Sequence, residues 1–207
     1  MSAATSLAAG LLAGLTRLIT GVRARWVCTA PSTAARVYFA NHASHLDTLV
    51  IWASLPKALR TRVRPVAAAD YWGKSRLRRW LATEVLNALL VERSGGSGSR
   101  EALHSLVTTL KAGDSLILFP EGTRGDGSAV GALRPGLYFV AEQCPDVELI
   151  PVHLHNLSRI LPKGELLPVP IMGSATFGAP MHLRPGEHRD SFLNRARAAI
   201  LDLGEGQ

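Results

Sequence analysis

Short, almost wholly apolar runs recur through the middle of this sequence and restrict its fold more than any other feature. Residues 36–40, 64–69, 86–91, 115–119 and 148–154 are each too short for a free-standing helix and long enough for a strand buried in a sheet. Segments with helical spacing lie between them. One covers 48–59. A second covers 100–112, with Leu103, Leu106, Val107 and Leu110 on one face and Gly113 at the stop, and a third, 137–143, is opened by Arg134-Pro135-Gly136. This alternation predicts an α/β domain, no internal repeat is visible, and 207 residues suffice for one domain with a proper core. The Pro/Gly-rich stretch from Asn156 to Gly186 reads as short strands or loops, and 190–203 as a closing helix.

Ahead of this region, residues 1–16 carry no charged side chain, and Arg17 interrupts the apolar run before the roughly 20 residues that a spanning helix needs. Leu7, Leu11, Leu15, Leu18, Ile19 and Val22 fall at three- and four-residue spacing, the stripe of an amphipathic helix that either lies on a membrane or packs on the domain. A secretory signal places basic residues before its apolar core; here Arg17, Arg23 and Arg25 follow it. The chain therefore divides into an N-terminal amphipathic membrane-associating segment, 1–25, and a domain, 26–207.

A formal net charge of +7 and a pI near 10.1 favour an anionic partner. Lys57, Arg60, Arg62, Arg64, Lys74, Arg76, Arg78 and Arg79 crowd one region against Asp70, with Trp72 and Trp80 among them. Basic residues interleaved with tryptophan suit an anionic membrane surface; the plainer reading is a solvated helix face whose tryptophans belong to the core. No nucleic-acid-binding pattern accompanies the charge, so nucleic acid is not expected. Cys28 and Cys144 give no disulfide framework, and a reducing, cytosol-facing compartment is the default.

Chemistry concentrates in Asn41-His42-Ala43-Ser44-His45-Leu46-Asp47, immediately after the first strand. A histidine five residues ahead of an aspartate presents a base and its orienter at a sheet's carboxyl edge. Ser44-x-x-Asp47 also fits a capping box, with Ser44 as N-cap. The two readings agree if Ser44 caps the helix while Asp47 points back to His42. Further on, Arg93 follows an apolar run, residues 94–99 have the composition of a flexible loop, and Pro120-Glu121-Gly122-Thr123-Arg124-Gly125 forms a polar turn suited to cradling a phosphate.

Asn41-His42-x-Ser44-x-x-Asp47, Arg93, Phe119-Pro120-Glu121-Gly122-Thr123-Arg124 and Ile150-Pro151-Val152 stand in the order of the four blocks of the glycerolipid acyltransferases. The chain resembles their lysophosphatidic acid acyltransferase (1-acylglycerol-3-phosphate acyltransferase) type. The resemblance implies a single α/β domain with a mixed, largely parallel central sheet flanked by helices and preceded by the amphipathic helix. It would sit at the cytoplasmic face of a membrane, peripheral or N-terminally anchored, and move a fatty acyl group from acyl-CoA or acyl carrier protein to a lysophospholipid hydroxyl. It implies His42 and Asp47 as catalytic residues. Arg93, Glu121, Gly122, Thr123, Arg124 and Arg134 would hold the acceptor, the arginines on its phosphate and Glu121 on a hydroxyl or an arginine. No cofactor beyond the thioester is implied. Two positions depart from the family pattern: Asn87-Ala88 stand where glycines are common, and His153 where a small or apolar residue is commoner.

The residues alone also support base catalysis, since an alcohol needs its proton removed as it attacks a thioester and no Gly-x-Ser-x-Gly elbow offers a nucleophile. Two alternatives use the same residues. A metal-dependent hydrolase would gather His42, His45 and Asp47 with His153 and His155. A non-enzymatic membrane-surface adaptor would use only the basic stretch, and Glu121 and Arg124 in a glycine turn would then have no purpose.

Overall fold

The computed structural model describes residues 2–92, 97–125, 127, 129–160 and 172–205. In chain order the elements are α1 (Ala3–Thr20), β1 (Arg23–Trp26), β2 (Arg36–Ala40), α2 (Asp47–Ser54), α3 (Lys57–Arg60), β3 (Val63–Ala68), α4 (Ala69–Trp72) and α5 (Arg76–Trp80), which runs into a π-helical turn (Leu81–Val85). There follow β4 (Leu89–Val91), α6 (Ser97–Lys111), β5 (Ser115–Leu118), α7 (Gly136–Gln143), β6 (Glu148–His155), α8 (Leu157–Ile160), β7 (Ser174–Phe177) and α9 (Arg189–Glu205).

The strands form one seven-stranded sheet in the order β1-β7-β6-β2-β5-β3-β4. Neighbours are parallel except β6 and β7, so the sheet is mixed and largely parallel, as expected. Alternation of side chains about β2 explains why Val37 to Ala40 are buried on both faces. Tyr38 and Ala40 join the core under α1 and α2 on one face, while Val37 and Phe39 join the core under α6, α7 and α9 on the other. From β2 the chain crosses to β3 beyond β5, and from β5 it returns to β6 on the opposite side of β2. The carboxyl end of β2 is therefore a switch point of the topology, where α/β sheets open a crevice for ligands.

Several sequence expectations need correction. Residues 48–59 are two helices, not one: Pro56 forces Leu55 into an extended conformation, ψ 148°, and ends α2. Residues 97–99, expected in a flexible loop, are the first turn of α6. The boundary between 25 and 26 falls inside β1, which pairs Arg23–Trp26 with Ser174–Phe177.

α1 packs on α2 through a stripe of small residues, Thr5, Ala9, Ala13, Thr16 and Thr20, and leaves Leu7, Leu11, Leu15 and Leu18 outward. Thr16 and Thr20 satisfy their buried hydroxyls on the carbonyls of Leu12 and Thr16. Gly21, in the left-handed region at φ 54°, closes the helix with its N–H on the Arg17 carbonyl. The Arg17 guanidinium reaches the Ala53 carbonyl at 2.6 Å, and Arg60 joins it there, so two cations meet the negative end of α2. Arg62 and Arg64 likewise donate to the Gly113 and Asn87 carbonyls. Part of the basic region thus holds the fold, while Lys74, Arg76, Arg78 and Arg79 are exposed.

Asn87, one of the departures from the family pattern, has φ 51°. Asparagine is among the few residues that tolerate this region, so it serves the turn into β4 as a glycine would.

Candidate active site

The end of β2 is pinned before the site begins. Asn41 exchanges two hydrogen bonds with the main chain of Leu154, accepting its N–H at 2.8 Å and donating to its carbonyl at 3.0 Å. A side chain thus continues the β2–β6 ladder by one step, and His42 leaves the sheet from a fixed point.

Asp47 opens α2 and is 1% exposed. Its Oδ2 accepts from His42 Nδ1 at 2.8 Å and from the backbone N–H groups of Ala43 at 2.7 Å and Ser44 at 2.9 Å. The bond to Ser44 N–H is the reciprocal half of the expected capping box. The other half is changed: Leu46 is the N-cap, and the Ser44 hydroxyl accepts from Leu46 N–H instead. The carboxylate places the His42 proton on Nδ1, and Nε2 has no hydrogen-bond partner among the described residues. The ring plane is set by Phe119, stacked at 4.2 Å.

The 119–125 loop holds both main-chain groups of His42. Glu121 Oε1 accepts its N–H at 2.7 Å, and Gly125 N–H donates to its carbonyl at 2.8 Å. Glu121 Oε2 accepts Gly131 N–H at 2.8 Å, and a Cβ on Gly131 would stand 2.8 Å from that oxygen. Each oxygen of Glu121 is therefore engaged by the backbone, and the side chain ties the histidine loop to the 131 loop. Gly122 has φ 76°, and a Cβ there would run into the Arg134 side chain, whose Nε donates to the Glu121 carbonyl at 3.1 Å.

Thr123, Arg124 and Arg134 are exposed at the rim. Arg124 Nη1 contacts His45 Nε2; burial first and then the Arg124 charge hold the His45 imidazole below its ordinary range, so it accepts. His45 stacks on Tyr71 at 6.0 Å, and Arg78 lies over that ring at 5.1 Å. Arg93 lies outside the described residues.

Beside His42 opens a cavity of about 370 Å³, walled also by Asn41, Val130, Leu154, His155 and Leu201. This is the size of a small-molecule site. The metal alternative does not assemble there: among the described residues no three His, Cys, Asp or Glu side chains are placed to share an ion. His42 is committed to Asp47, and His45 to Arg124. Sequence reasoning missed Phe119 as a ring platform and Gly131 as a donor to Glu121; the latter had no local signal, being ten residues from Glu121.

Comparison with known proteins agrees with this geometry. The family model "Acyltransferase" matches residues 27–155, more than half of the chain. The curated 1-acyl-sn-glycerol-3-phosphate acyltransferase LPAT1, chloroplastic, of Arabidopsis thaliana is 26% identical over 176 residues, 83% of this chain and 45% of that protein. The chain thus spans less than half the length of that relative. The crystal structure of the 1-acyl-sn-glycerophosphate (LPA) acyltransferase PlsC from Thermotoga maritima superposes with a TM-score of 0.72 at 19% identity, covering 96% of this chain and 79% of that one, a likeness of fold. With the first and third sequence blocks at the carboxyl ends of β2 and β5, the fourth paired inside β6 with Tyr38–Ala40, and the family model matched across all of them, this chain belongs to the acyltransferase family.

Proposed function

We propose that the chain transfers a fatty acyl group from acyl-CoA or acyl carrier protein to the free hydroxyl of 1-acylglycerol 3-phosphate, giving phosphatidic acid. The observation that carries the reading is the His42–Asp47 pair, with Nε2 left unpartnered on the wall of a cavity. The acceptor hydroxyl gives its proton to Nε2 as its oxygen attacks the thioester carbonyl, and Asp47 stabilises the imidazolium. Collapse of the tetrahedral intermediate breaks the carbon–sulfur bond. The proton passes from Nε2 to the departing sulfur, restoring neutral histidine. No acyl-enzyme and no cofactor beyond the thioester take part. Arg124 and Arg134 at the rim, together with Arg93, are proposed to bind the acceptor phosphate, a choice of acceptor that the names of the two similar proteins support. Mass spectrometry of products from a panel of lysophospholipids with both donor types tests the reading, lysophosphatidic acid being the acceptor expected to turn over fastest.

Docking on an anionic membrane belongs to the same proposal. Leu7, Leu11, Leu15 and Leu18 are 53–81% exposed, Leu77 and Trp80 of α5 are also exposed, and the π-helical turn that continues α5 packs on α1. An apolar face and the cations Arg76, Arg78 and Arg79 therefore lie on neighbouring elements, on the side where Arg78 reaches Tyr71 at the rim. α1 is also long and apolar enough to cross a membrane by length and composition; its packing on α2 favours lying at the surface. Replacing Leu11 and Leu15 by Gln removes apolar burial of about 1.5–3 kcal/mol each. Vesicle association is expected to fall at least ~100-fold with the fold intact, and the wild type is expected to prefer anionic over neutral vesicles. Equal flotation of variant and wild type would remove the leucine face from the account, and indifference to lipid charge would remove the cations.

A further inference from the structure

The cavity beside His42 has a second wall that lies outside the sequence blocks 41–47, 119–124 and 150–152. His153 and His155 occupy alternate positions of β6 and share a face, their rings 6.2 Å apart. The chain then turns at Asn156, φ 63°, whose carbonyl accepts from the N–H groups of Arg159 and Ile160, and α8 brings Arg159 to the cavity. The His153 ring is wedged under α9, where a Cβ on Gly204 would come within 2.8 Å of it.

The charge of these walls is one-sided. The two acids that line the cavity, Asp47 and Glu121, are both engaged by backbone N–H groups, and Asp47 by His42 as well. Among the described residues Arg159 has no carboxylate partner. Arg124 and Arg134 do not line this cavity. Beyond the His42–Asp47 pair, the cavity groups without an ion-pair partner among the described residues are thus the Arg159 guanidinium and the imidazoles of His153 and His155.

We infer that Arg159 and His155 bind the phosphoryl group of one co-substrate inside the cavity beside His42. The inference rests on the acyl-transfer reading above, in which both the thioester donor and the acceptor carry phosphate. Two anionic molecules then converge on one imidazole, and the cations at the 119–125 rim match only one of them. A guanidinium offers a planar pair of N–H donors to a phosphoryl group, and an imidazole N–H adds a third.

Calorimetric titration of the full chain with glycerol 3-phosphate, which reproduces the acceptor head, and with adenosine 3′,5′-bisphosphate, which reproduces part of the donor, tests the inference and separates the two sources. Wild type, Arg159→Gln, His155→Gln and Arg159→Lys are compared, with melting curves to confirm folding. One probe is expected to lose at least ~10-fold in affinity with Arg159→Gln, Arg159→Lys recovering part of the loss. The KM of the matching co-substrate should rise by a similar factor while that of the other does not. Unchanged binding of both probes to Arg159→Gln and His155→Gln would overturn the inference. So would a changed acyl-chain-length preference with unchanged phosphate binding, which would give the cavity to the acyl chain. Arg159-dependent probe binding by a wild-type protein that transfers no acyl group would support the subsite and overturn the reaction.

Discussion

Replacing His42 by Ala is expected to lower kcat by about 10²- to 10⁴-fold, the contribution of a positioned general base, with little change in melting temperature. The ring is partly exposed and its removal orphans only the Nδ1 bond to Asp47, which keeps two backbone donors. Asp47→Asn should cost a comparable factor, and for a reason visible at the carboxylate. Oδ2 receives all three donors, whereas Oδ1 is buried with no hydrogen-bond partner among the described residues. If the Asn oxygen takes the Oδ2 place, its NH₂ group is buried without an acceptor and the imidazolium loses its counter-charge. If it flips, the NH₂ faces three donors. Either rotamer costs stability as well as rate. Steady-state kinetics beside thermal melts check both variants. A His42→Ala enzyme with near-normal kcat would remove His42 from the reaction.

Glu121→Gln is expected to damage the site without touching a substrate. The Gln amide can accept only one of the two N–H groups that Glu121 now takes, from His42 and from Gly131, and meets the other with its own donors. Leaving a part-buried N–H unpaired costs about 1–3 kcal/mol, or several degrees of melting temperature in a domain of this size. It also frees the His42 backbone, and a displacement on the order of 1 Å at a reacting group costs about 10² in rate. Lowered melting temperature and kcat, with acceptor KM little changed, are therefore expected together. A raised acceptor KM with an unaltered melt would instead make Glu121 a substrate ligand.

What the sequence made legible was local. The apolar runs at 36–40, 115–119 and 148–154 became β2, β5 and β6 because each is buried on both faces, and five-residue spacing was enough to bring Asp47 onto His42. Pro56 was a readable helix stop that periodicity alone overrode. The contacts that could not be read depend on which elements lie side by side: Asn41 on Leu154, Glu121 on His42 and Gly131, and Arg17 on the end of α2. The N-terminal stripe shows the same limit. Its leucines were visible as a face, yet the face that packs is the one of alanine and threonine, because close approach to α2 needs small residues and not large ones.

The central claim is direct, base-assisted transfer at His42, and the most direct measurement is mass spectrometry of lipid and intact chain from one quenched reaction of wild type with acyl-CoA and 1-acylglycerol 3-phosphate. The account predicts phosphatidic acid and free thiol in equal amounts, with the chain at its unmodified mass throughout turnover. Thiol release with free fatty acid and no diacyl product, or a chain carrying an acyl group that passes to the acceptor, would contradict it.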